Sequence, residues 1–168
     1  MFRKKRKNGI RLHIPGFGDR EIRTILSDYD GTLSCNGNVS MGLKDQLVQL
    51  AELVDIHILT GDKKAKSKDC FGTLPVHVHI LSEADQDVQK RRYLQNFVPA
   101  NVAALGNGNN DRLLFEAVKT GGGLCIAVDN GEGCATELFL HSNLLVHEAT
   151  KALHLLLEPE ICAAVLRA

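Results

Sequence analysis

The chain has 168 residues, of which 44% are hydrophobic, enough apolar material for one globular domain with a sizeable core and no obvious room for a second. Twenty basic and twenty acidic side chains cancel, so no overall field marks the chain for nucleic acid or an anionic membrane. No stretch approaches the roughly 18 apolar residues of a membrane span, and the basic run Arg3-Lys4-Lys5-Arg6-Lys7 is not followed by the apolar core of a secretory signal. The expectation is a soluble, cytoplasmic protein whose basic run is a solvated, frayed end. Cys35, Cys70, Cys125, Cys134 and Cys162 are odd in number and scattered, which reads as reduced thiols, with Cys125 inside LCIAV packed in the core.

Along the chain, residues 1–20 read as a basic tail and a leading strand around Ile10 to Ile14, and residues 21–168 as a single core domain. Apolar runs at 23–28, 55–60, 76–81, 101–106, 124–128 and 144–147 read as strands. Between them, MGLKDQLVQLAELV and EADQDVQKRRYLQNFV repeat apolar residues every three or four positions, as helices with one buried face do. ATKALHLLLEPEICAAVLRA reads as a last helix interrupted near Pro159. The alternation predicts an α/β fold: a mostly parallel sheet covered by helices.

In open α/β sheets the ligand site lies beyond the C-terminal ends of the strands. There the first strand of the sheet is followed by Asp28-Tyr29-Asp30-Gly31-Thr32, the second by Thr60-Gly61-Asp62, and the fourth by Gly106-Asn107-Gly108-Asn109-Asn110-Asp111. A carboxylate at the tip of a buried strand needs a compensating cation. Mg²⁺ suits it, because Mg²⁺ takes oxygen ligands and leaves positions for water and phosphate oxygens. Asp28 and Asp111 are the best carboxylate ligands, with a main-chain carbonyl near Asp30 as a third. Asp28 is also placed to attack phosphorus, while Asp30 protonates the leaving oxygen and later activates water. The two-residue offset would turn both side chains to one side of an extended chain, and neighbouring carboxylates raise one another's proton affinity.

DYDGTLS resembles the first motif of the haloacid dehalogenase superfamily of phosphatases and phosphotransferases, LTGD with Thr60 the second, DVQKRRYL with Lys90 the third, and GNGNND the fourth. The likeness spans about residues 20 to 150. From IRLHIPG through GNGNND the chain is more closely similar to the small soluble P-type-ATPase-like members of that superfamily. The resemblance implies a Rossmann-like, three-layer α/β/α fold. It further implies Asp28 as nucleophile, Asp30 as acid/base, Thr60, Gly61 and Lys90 on the phosphoryl group, and Mg²⁺ held by Asp28, Asp30, Asp111 and Asn107. Ion pumps of that type carry threonine where Asp30 stands, so an acid/base here favours hydrolysis over energy coupling. Asn107 replaces the first aspartate of the common fourth motif, which weakens metal binding and keeps a low-turnover regulatory or phosphate-binding module, working with a protein partner, as the rival reading.

Twenty-nine residues separate Asp30 from Thr60 and 29 separate Thr60 from Lys90, too few for the cap domain that many members insert. The site is expected to be open to a phosphorylated substrate, with a macromolecular substrate or closure by a neighbouring subunit of a homo-oligomer both compatible with that. Asn36-Gly37 in CNGNVS favours a type I′ turn, which predicts a hairpin flap over 32–40. Lys63, Lys64, Lys66 and Lys68 read as a solvated helical face, and His77 and His79 as a sheet-surface pair. Gly121-Gly122-Gly123 reads as a helix stop, and Asp129 as a turn residue bordering the site.

Overall fold

The computed structural model describes residues 7–61 and 66–168. Arg3 to Arg6, Asp62, Lys63 and Lys64 lie outside the described residues. The fold begins with β1 (Ile10–Ile14) and β2 (Gly18–Ile22), an antiparallel pair, followed by β3 (Thr24–Ser27), α1 (Met41–Ala51), β4 (Asp55–Thr60), α2 (Lys66–Phe71), β5 (His77–Ile80) and α3 (Gln86–Tyr93). Then come β6 (Val102–Gly106), α4 (Arg112–Thr120), β7 (Leu124–Val128), α5 (Thr136–Leu140), β8 (Leu144–Val146), α6 (Ala149–Leu157) and α7 (Pro159–Leu166). The six strands from β3 onward form one parallel sheet in the order β5-β4-β3-β6-β7-β8.

The central strands β3, β6 and β7 are buried along their whole length, which is why they read as near-continuous apolar runs, while the edge strands β5 and β8 are only partly covered. Side chains alternate between two cores. Ile25, Ile56, Ile58, Ala103, Leu105, Leu124 and Ile126 pack with α1, α6 and α7, whereas Leu26, Val102, Ala104, Cys125 and Ala127 pack with α4 and α5. The result is the expected α/β/α sandwich, with no cap domain among the described residues. No helix among them is long and apolar enough to cross a membrane.

Several boundaries follow from local chemistry. Ser40 caps α1, its hydroxyl accepting from Leu43 N at 3.2 Å. Gly122 sits at φ +86° and ends α4, with Gly122 N donating to Lys119 O and Gly123 N to Val118 O, the paired bonds of a Schellman stop. Pro159 is the first residue of α7 and so starts a helix rather than interrupting one. The stretch expected as one helix over 83–98 is helical only from Gln86, because Asp85 takes a left-handed φ of 55°, and it tightens into a 3₁₀ turn at Leu94–Asn96. β2, α2 and α5 were not expected; GDREI buries only Ile22 and therefore shows no alternation. Lys7 departs from the frayed reading. It donates to Val54 O at 2.8 Å and pairs with Asp55 Oδ1 at 2.9 Å.

The strand alternation places His57, His77 and His79 on the α3 face. His57 and His77 are register partners with ring centroids 4.7 Å apart. Tyr93 of α3 lies 2.5 Å from His79 Nε2 and 3.0 Å from His57 Nδ1, so hydrogen bonds to these histidines anchor the helix that carries Lys90. Burial, and then His77, lower the pKa of His79. A histidine depressed in the folded state contributes stability above its unfolded value of about 6.5, and that contribution is lost as pH falls through the folded value. Relative to His79→Gln, the wild type should therefore lose thermal midpoint as pH drops from about 7 to about 5. Parallel melting curves for the two proteins across that range would remove His79 from the acid response.

Candidate active site

The chain lays β3 first, adds β4 and β5 on one side, then returns to add β6, β7 and β8 on the other. The switch point falls at the end of β3, where Asp28 sits with its N–H donating to Leu105 O at 3.0 Å. Register partners Ser27↔Ile58 and Ser27↔Leu105 bring the ends of β4 and β6 beside it, so the loops carrying Thr60-Gly61 and 107–111 flank Asp28.

Lys90 reaches into this crevice from α3. It is fully buried, and its Nζ lies 2.6 Å from Asp28 Oδ1 and 2.7 Å from Asp111 Oδ1, both carboxylates being buried as well. Asp111 Oδ2 accepts from the N–H groups of Asn107 and Gly108, each at 3.1 Å, which fixes the fourth-motif loop. Gly106 makes room for this carboxylate, because a β-carbon there would lie 2.5 Å from it. On the far side, Thr32 Oγ1 lies 3.4 Å from Asp28 Oδ2 and 3.2 Å from Asn107 Oδ1. Gly31, at φ +71°, turns the chain away after Asp30 and leaves space for the Asn107 amide, whose Nδ2 would lie 2.2 Å from a β-carbon there.

One ammonium between two buried carboxylates leaves a net negative charge. Burial chiefly, then Asp111, raise the carboxyl of Asp28, and Lys90 opposes them, so that it is pushed up to about 7. Asp111 and Asp28 together hold Lys90 protonated, above its ordinary value, against the pull of burial. After burial, Asp111 is the carboxylate that raises Asp28 most.

The excess charge and the all-oxygen donors Asp28 Oδ2, Asn107 Oδ1 and Asp111 fit a hard divalent cation that takes its remaining ligands from water and substrate. Asp30 is exposed while Asp28 is buried, and its backbone bridges to Ser34. Thr60 is fully buried at the end of β4, and Gly61 follows it.

The flap is a two-residue hairpin. Cys35 and Asn38 exchange both backbone hydrogen bonds, and Asn36 and Gly37 have φ of 51° and 75°, as the type I′ reading requires. Its tip is tied to the loop after β7 by Asn36 N donating to a Glu132 carboxylate oxygen. Asp129 begins that loop and serves as a turn residue, Oδ1 accepting from Gly131 N and Gly133 N, while Asn107 Nδ2 donates to Gly133 O. Thr32 and Glu132 were not singled out as site residues; nothing in their local sequence shows that distant loops meet there. Lys66 and Lys68 are exposed, and all five cysteines are free, Cys125 fully buried.

No protein-family model and no curated protein match the chain. Solved structures do. The 3-deoxy-D-manno-octulosonate 8-phosphate phosphatase of Moraxella catarrhalis, in complex with a magnesium ion, a phosphate ion and KDO, superposes with a TM-score of 0.63 at 16% identity, covering 85% of this chain and 90% of that one. The Yersinia pestis phosphatase of the same name gives 0.59 at 20% identity over 95% and 96%, and a HAD-superfamily (subfamily III A) hydrolase from Legionella pneumophila gives 0.63 at 17% over 86% and 87%. At 16%, 20% and 17% identity the likeness is one of fold: the chain shares the fold of these phosphatases and of the HAD-type hydrolase.

Removing the cation from this cluster strands two buried charges. Lys90→Met is expected to destabilise the protein by about 3–5 kcal/mol in urea unfolding, and a change below about 1 kcal/mol would contradict the pairing. Asp28→Asn leaves a balanced Lys90–Asp111 pair. A carboxyl raised in the folded state contributes stability below its unfolded value and loses it as pH rises through about 7. Asp28→Asn should therefore raise the metal-free thermal midpoint more at about pH 8 than at about pH 5.

Proposed function

We propose that this chain is a Mg²⁺-dependent phosphatase that hydrolyses phosphomonoesters through an aspartyl-phosphate on Asp28. The observation that carries the reading is the fully buried Lys90 ammonium held 2.6 Å and 2.7 Å from two carboxylates at the switch point of a haloacid-dehalogenase fold. A buried positive charge beside a candidate nucleophile is suited to a phosphoryl group, whose transfer depends on positioning and charge stabilisation. The Mg²⁺ and phosphate bound in the Moraxella structure support the same chemistry.

Asp28 attacks phosphorus, its new O–P bond forming as the ester P–O bond breaks. Asp30 gives a proton to the departing oxygen, then removes one from the water that cleaves the acyl phosphate. Its exposed side chain is in reach of solvent for both transfers. Thr60, the Gly61 N–H and Lys90 orient and neutralise the phosphoryl oxygens. Asp28, Asn107, Asp111 and the Asp30 carbonyl would hold Mg²⁺, which when bound supplies charge neutralisation at the phosphoryl group and keeps Asp28 ionised. The more specific likeness to soluble P-type-ATPase-like members rests on the motifs, and a cytoplasmic setting on composition.

Asn107 favours the second reading, a low-turnover phosphate-binding module, because an amide brings no charge to the cation. Hydrolysis of an aryl phosphate separates the two. Metal-dependent turnover is expected, abolished by Asp28→Asn and slowed roughly 10²–10⁴-fold by Asp30→Asn. No turnover at any Mg²⁺ concentration would favour the module.

A further inference from the structure

We propose that the end of the molecule opposite the candidate active site docks on an anionic lipid bilayer, with Phe17 entering the headgroup region and the basic residues behind it meeting the lipid charge. The proposal stands apart from the phosphatase reading and does not depend on it.

The zero net charge of the chain conceals an asymmetry. Residues 1–23 hold eight Lys and Arg against two Asp and Glu, and the remaining residues hold twelve against eighteen. Lys7, the last of the basic run, is fixed by Val54 O and Asp55, and Gly9 N donates to Leu53 O, so the run joins the fold at the base of the β1–β2 hairpin. That base sits at the N-terminal edge of the sheet, where Arg23 N donates to Asn101 O and Asp55 N donates to Arg23 O. Asp28, Lys90 and Asp111 lie at the other edge, so a surface engaged at the hairpin leaves them free. The two acidic residues of the hairpin are already occupied: Asp19 by His13 at 2.6 Å, and Glu21 by Arg23 at 2.7 Å and Arg11 at 3.7 Å. Arg20 donates to the main-chain carbonyl of Asp19 and pairs with no carboxylate among the described residues.

The hairpin closes at the register pair Ile14↔Gly18, with Phe17 N donating to Ile14 O at 2.9 Å and Ala168 N donating to Pro15 O. Its turn, Pro15-Gly16-Phe17, is uncharged and exposed, and the Phe17 ring has nothing over it, at 58% exposure. An aromatic ring on an uncharged tip with cations behind it combines apolar insertion with attraction to anionic headgroups, and neither contribution alone holds a protein firmly to a membrane. A nucleic acid would need the cations to line a path past the ring. Here Lys7, Arg11, Arg20 and Arg23 all stand on the strands or base behind the tip, which favours a bilayer.

The test sediments the full chain with vesicles of phosphatidylcholine alone and of phosphatidylcholine carrying about 30% phosphatidylserine, at low and high salt. Binding should favour the anionic vesicles and weaken as salt rises. Phe17→Ser should weaken it roughly tenfold, as should the combined change Arg3→Gln, Lys4→Gln, Lys5→Gln and Arg6→Gln, and Arg20→Gln about threefold. Phe17→Trp should bind like the wild type, and its emission, in a chain with no other tryptophan, should shift to the blue on the anionic vesicles. Binding no stronger to anionic than to neutral vesicles, Phe17→Ser binding within about twofold of the wild type, or an unshifted Phe17→Trp emission overturns the proposal. So does transfer of the chain from the anionic vesicles to a single-stranded oligonucleotide at equal phosphate concentration, which would assign the surface to nucleic acid.

Discussion

Everything at the C-terminal edge of the sheet is arranged around one buried ammonium. Lys90 Nζ lies within 2.7 Å of carboxylates from two different strand ends, and none of the three groups reaches solvent appreciably. Burying an ion is tolerable only with close partners and further hydrogen bonds. Asp111 meets that demand through Lys90 and two backbone N–H donors, and Asp28 through Lys90, the Tyr29 backbone and a long contact to Thr32. Burial and the charge of Asp111 still outweigh these partners at Asp28, whose carboxyl is pushed up to about 7.

The same constraint explains several features that look unrelated. Gly31 and Gly106 stand where polar side chains press onto backbone, so the loops can close on the ionic cluster without a β-carbon in the way. The Tyr93 hydroxyl, bonded to His57 and His79, fixes α3 to the sheet one turn beyond Lys90 and so holds the depth to which the lysine reaches. On the open side, the flap's tie to Glu132 and the Asn107 contact with Gly133 join the loops after β3, β6 and β7 into one rim.

The sequence was most legible where burial is complete. The central strands β3, β6 and β7 were recognisable because both faces are covered, and strand ends pointed to the site because polar residues at strand tips contradict the apolar runs before them. Elements with mixed exposure were not: β2 shows one buried residue in five, and α2 and α5 are too short to show a period. At the site, Asp28, Asp111 and Lys90 announce themselves by motif, but their coupling depends on which side chains share a depth. An extended-chain argument considered Asp28 only with Asp30, while the fold also buries Asp28 beside Asp111 and leaves Asp30 exposed. Glu132 matters only through a contact made across distant loops, which no local pattern encodes.

The measurement that tests the central claim most directly is chemical trapping of the intermediate. The full chain would be mixed with a turned-over phosphomonoester and Mg²⁺, quenched in acid, reduced with borohydride and digested for mass spectrometry. The account predicts that Asp28, and no other carboxylate, is converted to homoserine, with more of it trapped in Asp30→Asn. Sustained turnover with Asp28 unmodified, or reduction at a different residue, would contradict it.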